Sequence, residues 1–532
     1  MPGPRRRLDV DAILTLAAWA AVLGLGAWTA WQRWQVMSGS PYPIGIDGYY
    51  YPIQLRSLLE RGHLAYPASP LAFWLMVPLA ALTDPITGAK LGAVLGGALV
   101  VVPAFLVGRR LGGRAGGLAA AVAAATTGGS FYLSFEFVKN GVGLTLALAA
   151  VWLALRACER PSRGRIAALV VAIVATALTH KLATGVVAVL ITPALIVAIR
   201  RRAADRAALA PAAVPTGTRH AAGRGLILAG AGLIVVAIVL GVAMPHRFLG
   251  AREVDLARHA FTRDPDFSLP ALVIDRGPDR PPHILTLGQQ TPIAALVTAA
   301  LVVALIAAWR RPRPRPSRTP EADAIVYAAI ALIALTALPW LAIHDPDGLG
   351  FRLRTSVFAP LAIVTAALIA RLAAATAVSP RAALLLVTPA LATWLAVRPA
   401  ASTEGLVRAH PAMVAAIRAA RGALPADAVV ITAERHLGFQ LTWYARIPVR
   451  MRPEPVPPAR RWRMIPGNLL GFGSPLERTL DLARATPGLA LPLDLHPRHP
   501  SGLVLVPEAT WTWVLDRLPE PDATWWRAWH TI

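Results

Sequence analysis

Repeated apolar runs long enough to cross a lipid bilayer limit most strongly what this chain of 532 residues can fold into. One transmembrane helix needs about 20 apolar residues, and about eleven candidate runs satisfy this length. They lie near residues 11–31, 91–108, 115–133, 140–157, 166–180, 182–199, 225–244, 292–309, 324–343, 356–373 and 382–397. Only 15% of the residues are charged, against roughly 25% in soluble domains. The sequence therefore predicts a polytopic α-helical membrane protein.

The surplus of basic residues, a formal net charge of +24, follows the predicted membrane topology. Arginines cluster in every second loop between the apolar runs, as is typical of cytoplasmic loops. These clusters lie within 5–7, 109–114, 160–165, 200–202, 310–315 and 371–381. The pattern predicts a cytoplasmic N-terminus and argues against nucleic acid as a partner. The composition, rich in Ala, Arg and Pro, favours the plasma (inner) membrane of a bacterium.

Two shorter segments lie in the predicted first outer loop, residues 32–90. The run LAFWLMVPLAAL, 71–82, has about a dozen residues, a length more typical of interfacial than of spanning helices. Counting it as a span would invert every later loop, so we expect a helix at the outer surface. The periodic stretch 51–62 predicts a second such helix. A long outer loop is predicted at 245–291.

A change in composition divides the chain into a transmembrane module, 1–398, and a tail, 399–532. The tail contains a helix-like stretch at 405–421 and strand-like AVVIT and LVLVP at 428–432 and 503–507. We expect a small α/β domain on the extracytoplasmic face.

The segment GIDGYYY, residues 45–51, places an acid and three tyrosines directly after the first predicted span. A carboxylate at the membrane boundary, such as Asp47, is suited to taking a proton from an acceptor hydroxyl or to binding a metal ion. The alternative is a helix cap followed by an aromatic belt, since tyrosine favours the interface.

Three further outer segments contain ionisable residues. Glu136 lies in FEFVKN, 135–140, and its alternative role is a helix-terminal acid beside a snorkelling Lys139. His180 and Lys181 form a tight predicted hairpin, where a cation could hold a phosphate and a structural histidine is the alternative. Arg352 and Arg354 open the tenth predicted span, and arginine suits phosphate because its planar fork binds it in a bidentate way. Their alternative role is to anchor the helix at the interface.

Together these segments resemble the GT-C superfamily of integral membrane glycosyltransferases. DGYYYPIQLRSLLERG is similar to the first-loop motif of oligosaccharyltransferase catalytic subunits. SPLAFWLMVPLAAL with GRRLGG looks like the surface helix and second span of the wider superfamily, which includes protein mannosyltransferase-like enzymes. FEFVKNGVGLTLALA and GFRLRTSVFAPLAI resemble the second acidic loop and the late arginine segment.

The resemblance implies a donor sugar linked to polyprenyl phosphate, a lipid, glycan or protein acceptor, and hexosyl- or pentosyltransferase activity. Asp47 would be the catalytic base and Glu136 a second acid. Arg352 or Arg354 would bind the donor phosphate with help from His180 and Lys181, and Tyr49 and Tyr50 would line the sugar or lipid head. Metal use varies in the superfamily, so a divalent cation such as Mg²⁺ or Mn²⁺ at Asp47 and Glu136 stays open.

One departure from the family pattern narrows the expected reaction. The oligosaccharyltransferases carry a WWDYG motif near the start of the soluble domain, where this chain reads AERHLGFQLTWYARIPV. We therefore expect transfer of a single sugar rather than of an oligosaccharide to asparagine. A transporter or flippase of polyprenyl-linked lipids or sugars, and a non-catalytic envelope assembly protein with the same fold, are the alternatives. The first would favour charges inside the spans and internal repeats, which we do not find in the sequence.

Overall fold

The computed structural model describes most of the chain, and all structural statements below refer to the described residues. These are residues 10–45, 47–208, 319–337, 355–376, 378–396, 409, 411–432, 435–450, 456–466, 476–485, 489–491 and 503–531. The predicted spans at 225–244 and 292–309 and the predicted loop at 245–291 lie outside them.

Up to residue 396, the described residues form helices and the segments that connect them. The helices are α1 (Val10–Ser38), α2 (Tyr50–Arg61), α3 (Leu71–Leu82), α4 (Pro85–Ala98), α5 (Val101–Thr126), α6 (Gly128–Leu133), α7 (Val138–Glu159), α8 (Arg163–Thr179), α9 (Lys181–Ala208), α10 (Pro320–Ala337), α11 (Phe358–Ala375) and α12 (Pro380–Ala396). The two short helices predicted at 51–62 and 71–82 are confirmed as α2 and α3.

Five of the described helical segments are long and apolar enough to cross a bilayer. They are Val10–Ser38, Pro85–Thr126, Val138–Glu159, Lys181–Asp205 and Phe358–Ala375. The chain is therefore an integral membrane protein by length and composition of its helices, while the predicted total of about eleven spans stays a prediction.

The predicted break between the second and third spans is confirmed. We expected helices at 91–108 and 115–133, joined by a basic loop. Gly112 and Gly113, within this basic sequence, leave helical geometry and separate α5 into two helical stretches. Glycine permits this break because Gly113 has φ of 65°, which other residues rarely adopt.

Small residues let the helices of the transmembrane part approach closely. A side chain at Gly112 or Gly116 would meet the backbone of Ala366 in α11, and one at Gly129 would meet the backbone of Thr355. Close backbone approach through glycine and alanine is typical of membrane helix packing, where lipid provides no hydrophobic drive for association. Alanine, valine and leucine side chains from α5, α7, α9 and α11 fill the core between these helices.

The tail contains a mixed sheet surrounded by helices. Its elements are α13 (Pro411–Ala423), β1 (Val429–Ile431), α14 (Arg435–Tyr444), β2 (Val449–Arg450), a 3₁₀ turn (Pro458–Arg460), β3 (Arg461–Pro466), α15 (Leu476–Ala485), β4 (Leu489–Leu491), β5 (Leu503–Pro507), α16 (Glu508–Arg517) and α17 (Glu520–Thr531). The strand order is β2-β1-β3-β5-β4; β1 runs parallel to β2 and β3, whereas β5 is antiparallel to β3 and β4.

Alternation along β3 and β5 gives this sheet two buried faces. Met464 pairs with Leu505, and both contribute to a core that also contains Tyr49 and Ile53 from the first loop. The opposite face has Ile465 and Val506 packed with tryptophans of α16 and α17. The strands predicted at 428–432 and 503–507 are β1 and β5, whereas the predicted helix at 405–421 is observed later, as α13.

By their internal contacts the residues group into two units. One comprises Met1–Val36, Ala68–Leu75 and Leu91–Ser402; the other comprises Met37–Pro67, Met76–Lys90 and Thr403–Ile532. We call them the helical unit and the mixed unit. Part of the first predicted outer loop thus belongs with the tail, because α2 contributes to the same core as the sheet. The predicted division at residue 398 stays a prediction.

Candidate active site

Asp47 lies in a tight turn that leads into α2 in the mixed unit. The backbone N–H of Gly48 donates to the carbonyl of Gly45 over 3.3 Å, and that of Tyr50 donates to the carbonyl of Asp47 over 3.0 Å. Gly45 has φ of 84°, a conformation that favours glycine. Asp47 itself is half-buried. The turn therefore holds a partly accessible carboxylate in one backbone conformation.

The tyrosine that follows this turn anchors it to the tail. Tyr49 is fully buried, and its hydroxyl shares a hydrogen bond of 2.7 Å with the hydroxyl of Tyr444 at the end of α14. Burial raises the pKa of both phenols, so they stay neutral at physiological pH. Tyr49, predicted to contact substrate, thus packs in the core two residues from Asp47, and its role in binding stays a prediction.

Tyr50 lies against a second set of aromatic rings and is half-buried. Its ring centroid is 5.4 Å from that of Phe439 and 6.4 Å from that of Tyr66. Tyr66 is fixed in turn, because its backbone exchanges two hydrogen bonds of 2.9 and 3.0 Å with the side-chain amide of Gln54. The first-loop aromatics are therefore packed against one another within the folded mixed unit.

Replacing Gly48 by alanine tests whether this turn positions Asp47. A Cβ at position 48 would clash with the carbonyl oxygen of Ile44, so the backbone must shift. Because displacement of a reacting group by about 1 Å can reduce rates about 10²-fold, we expect a loss of turnover near that size in a membrane-inserted protein. Gly185→Ala is the matched control, since a Cβ there meets nothing within 4 Å. Wild-type turnover in Gly48→Ala would contradict the role of the turn.

Glu136 lies in the helical unit, between α6 and α7, and is only 3% exposed. Its backbone N–H donates to the carbonyl of Tyr132 over 3.1 Å. One turn later the buried Asn140 has an amide nitrogen that finds no hydrogen-bond partner among the described residues. Lys139 lies over the ring of Phe73 at 5.5 Å. The predicted second acid is therefore buried in a structured segment that also contains an unsatisfied amide.

A buried arginine of α1 holds the segment before Glu136. Arg33 donates from Nε to Ser134 Oγ over 2.8 Å and from Nη2 to Ser130 Oγ over 3.1 Å. Its guanidinium also lies 5.6 Å from the centroid of Phe131. We name these contacts the Arg33 bridge. Sequence reasoning missed Arg33 because it ended the first span at residue 31, whereas α1 continues to Ser38.

His180 and Lys181 form the predicted tight connection between α8 and α9. His180 is the single residue between the two helices, and its Nδ1 accepts the backbone N–H of Leu182 over 3.1 Å. The histidine thus caps the start of α9, which is the structural alternative that the sequence left open. Both residues are half-buried, and their binding of phosphate stays a prediction.

Arg352 and Arg354, the two arginines predicted to bind the donor phosphate, lie outside the described residues. Asp47 and Glu136, the two candidate metal ligands, belong to different units. Among the described residues no cluster of three or more histidine, cysteine, aspartate or glutamate side chains could hold a metal ion. A divalent cation therefore stays a prediction.

Comparison with known proteins gives one family match and several weak structural likenesses, of which two are described. Residues 67–215 match the sequence profile of the dolichyl-phosphate-mannose-protein mannosyltransferases. No curated protein sequence matches the chain. Among solved structures, it is similar to the Archaeoglobus fulgidus oligosaccharyltransferase in complex with Zn and sulfate, with 13% identity, a TM-score of 0.40 and coverage of 80% of this chain.

The second solved structure is ArnT from Cupriavidus metallidurans in the apo state. It has 13% identity and a TM-score of 0.39, and the likeness covers 94% of this chain and 99% of that one. The chain spans only 62% of the length of the oligosaccharyltransferase. Both TM-scores are too low to support an argument. The function proposed below therefore depends, among the comparisons, on the family match over residues 67–215.

Proposed function

We propose that this chain, whose residues 67–215 match the profile of the dolichyl-phosphate-mannose-protein mannosyltransferases, is a membrane glycosyltransferase of the GT-C superfamily that transfers a single sugar from a polyprenyl-phosphate donor. The acceptor is a lipid, glycan or protein at the extracytoplasmic face of the membrane. The observation that carries this proposal is the Asp47 turn, which fixes a half-buried carboxylate directly after the first membrane helix.

The proposed reaction is a displacement at the anomeric carbon. An acceptor hydroxyl oxygen bonds to that carbon while the bond from the carbon to the donor phosphate breaks. The bonding electrons leave on the phosphate oxygen, and the hydroxyl proton passes to the carboxylate of Asp47. Positive charge stabilises the departing phosphate, a role that we assign to Arg352, Arg354 and Lys181. Glu136 acts as a second acid.

The position of the turn suits such a donor. A polyprenyl-linked sugar keeps its chain in the bilayer and its phosphate at the boundary, and Asp47 lies nine residues after the end of the long apolar α1. The neutral pair of Tyr49 and Tyr444 adds no competing negative charge beside the carboxylate.

The test uses the full chain in nanodiscs with a panel of radiolabelled polyprenyl-phosphate sugars and a membrane lipid and glycan extract as acceptor source. We expect release of polyprenyl phosphate together with transfer of label for at least one donor. A parallel reaction with chelator tests the predicted divalent cation. Absence of release with every donor, together with donor movement across vesicles, would support the transporter alternative and contradict the proposal.

A further inference from the structure

The mixed unit contains an open cleft that the proposed reaction does not use. It has a volume of about 450 Å³, within the range of roughly 300–1,000 Å³ typical of ligand pockets. Three arginines, one glutamate, two aromatic residues and a proline line it: Arg56, Arg418, Arg446, Glu60, Trp443, Tyr444 and Pro85. We call it the arginine cleft.

The cleft has more positive charge than its own acid can balance. Among the described residues its one lining carboxylate, Glu60, pairs with Arg446 at 3.5 Å, so the other two described guanidinium groups exceed the acids of the lining. Arg418 is exposed and lies 5.6 Å from the centroid of Tyr444. A concave site with an excess of guanidinium groups attracts anions.

Arg56 is held in place before any ligand arrives. It is only 8% exposed, and its two terminal nitrogens donate to the carbonyls of Trp443 and Thr442 over 3.3 and 3.2 Å. Its guanidinium also lies 4.4 Å from the centroid of Trp443. Burial, and then the positive charge of Arg446, lower its pKa to about 10. The group therefore stays charged at neutral pH, and a bound anion would relieve this repulsion.

Arg446 reaches the cleft from an unusual backbone conformation. It lies two residues after the end of α14 and has φ of 55°, the only positive φ among the described residues other than glycine. Glycine is the usual residue at such a helix end, because a side chain strains the backbone in this conformation. Strain of this kind is concentrated at functional sites, so a charged residue here points to a role for its side chain.

The cleft is adjacent to the candidate active site within the same unit. Tyr444 lines the cleft and also bonds to Tyr49, two residues after Asp47. A ligand in the cleft would therefore be separated from the Asp47 turn by a pair of tyrosines.

We propose that the arginine cleft binds a phosphate ester or pyrophosphate group, and that this group belongs to the acceptor of the sugar. The second half of this inference rests on the proposed function. Arginine suits phosphate because it offers paired N–H donors in a planar fork, and three such groups line one opening. The neighbouring Trp443 and Tyr444 provide aromatic surface for the part of the ligand that bears the phosphate.

The binding test uses the full chain in detergent and inorganic pyrophosphate as the probe, followed by calorimetry. The background protein carries both Arg352→Gln and Arg354→Gln, which removes the two arginines of the predicted donor-phosphate site. In this background we expect Arg446→Gly and Arg418→Gln each to weaken pyrophosphate binding about tenfold, which corresponds to loss of one charged contact. Arg517→Gln is the matched control, because Arg517 is also exposed and stacked on an aromatic ring, that of Trp513, outside the cleft.

Arg446→Gly separates binding from folding. Glycine relieves the positive φ, so the melting temperature should stay at or above the wild-type value while affinity falls. The inference would be overturned if Arg446→Gly and Arg418→Gln bound pyrophosphate as tightly as the background protein does. It would also be overturned if the background protein did not bind pyrophosphate. Because no turnover is measured, the result is independent of the proposed reaction.

Two further arms identify the source of the phosphate and relate it to catalysis. Nanodiscs of phosphatidylcholine with phosphatidic acid are compared with phosphatidylcholine alone: competition with pyrophosphate would assign the cleft to a lipid phosphate, and its absence to a soluble or glycan phosphate. In proteins that retain Arg352 and Arg354, we expect cleft variants to lower the transfer of labelled sugar to the acceptor. Wild-type transfer in these variants would contradict an acceptor role, whereas a wild-type protein without donor cleavage would contradict only the proposed function.

Discussion

Replacing Asp47 by asparagine is expected to reduce the rate of sugar transfer by about 10²–10⁴-fold, the typical contribution of a general base. Asparagine keeps the size of aspartate but cannot accept the acceptor's proton. The turn is held by backbone bonds from Gly48 and Tyr50, so we expect the variant to fold and insert normally. Initial rates of polyprenyl phosphate release and label transfer, in nanodiscs at saturating donor, measure the effect.

A control variant and a conservative variant sharpen this test. Asp516→Asn, at an exposed position of α16, changes the same charge far along the chain and should leave the rate unchanged. Asp47→Glu restores a carboxylate displaced by one methylene, so an intermediate rate is expected. If Asp47→Asn turns over donor as fast as wild type, another group accepts the proton and the site must be reassigned.

Helices with strong local signals could be predicted from the sequence almost to the residue. The segment 71–82 was identified from its length and apolar character, and α3 has those bounds. The predicted bounds of α2 are one residue too late. Its periodic apolar positions identify the helix, but the turn before Tyr50 gives no sequence signal for the residue at which the helix begins. These signals come from residues that are close together in the sequence, so they can be recognised without the structure.

The break in α5 separates what local signals specify from what they do not. The basic sequence between Arg109 and Arg114 predicts a break, because charge and glycine usually interrupt an apolar helix. In the structure Gly112 and Gly113 leave helical geometry at this place, and Gly112 also lies close to the backbone of α11. This partner helix lies about 250 residues further along the chain, and no local pattern specifies it.

The acids of the candidate site could be predicted from the sequence, but the residues that hold them in place could not. GIDGYYY drew attention to Asp47 because a carboxylate beside glycines at a membrane boundary is unusual. The structural role of Tyr49 depends on Tyr444, which is 395 residues away in sequence. In the same way the arginine cleft combines α2 with the tail, and only the folded mixed unit brings these residues together.

The Arg33 bridge gives the second large expected effect. Nε and Nη2 occupy one edge of the guanidinium plane, and each donates to a different serine of the segment that precedes Glu136. The space around the bridge is full, because a Cβ at Gly97 would meet both Ser134 Oγ and Arg33 Nε. Ser134 donates in turn to the carbonyl of Ser130 over 3.2 Å. This bridge therefore fixes one edge of the segment that carries the proposed second acid.

Arg33→Lys should reduce turnover about 10²-fold, the loss expected when a reacting group is misplaced by about 1 Å. Lysine keeps the positive charge, but its ammonium is a single point and cannot donate to both serines in the fork geometry of arginine. Ser134→Ala removes one of the two contacts and should give an intermediate loss. Rates of polyprenyl phosphate release, measured beside the melting temperature of each variant, separate a positioning effect from unfolding.

Arg156→Lys provides the matched control for this charge-conserving change. Arg156 also lies in a membrane helix and stacks on an aromatic ring, that of Trp152 at 5.0 Å, but it is in the last turn of α7, away from Glu136 in sequence. We expect a near-normal rate from this variant. Equal losses in Arg33→Lys and Arg156→Lys would show that both act through general helix packing. A selective loss in Arg33→Lys with an unchanged melting temperature requires that the Arg33 bridge orients the segment of Glu136, because charge and helix packing are then the same in both proteins.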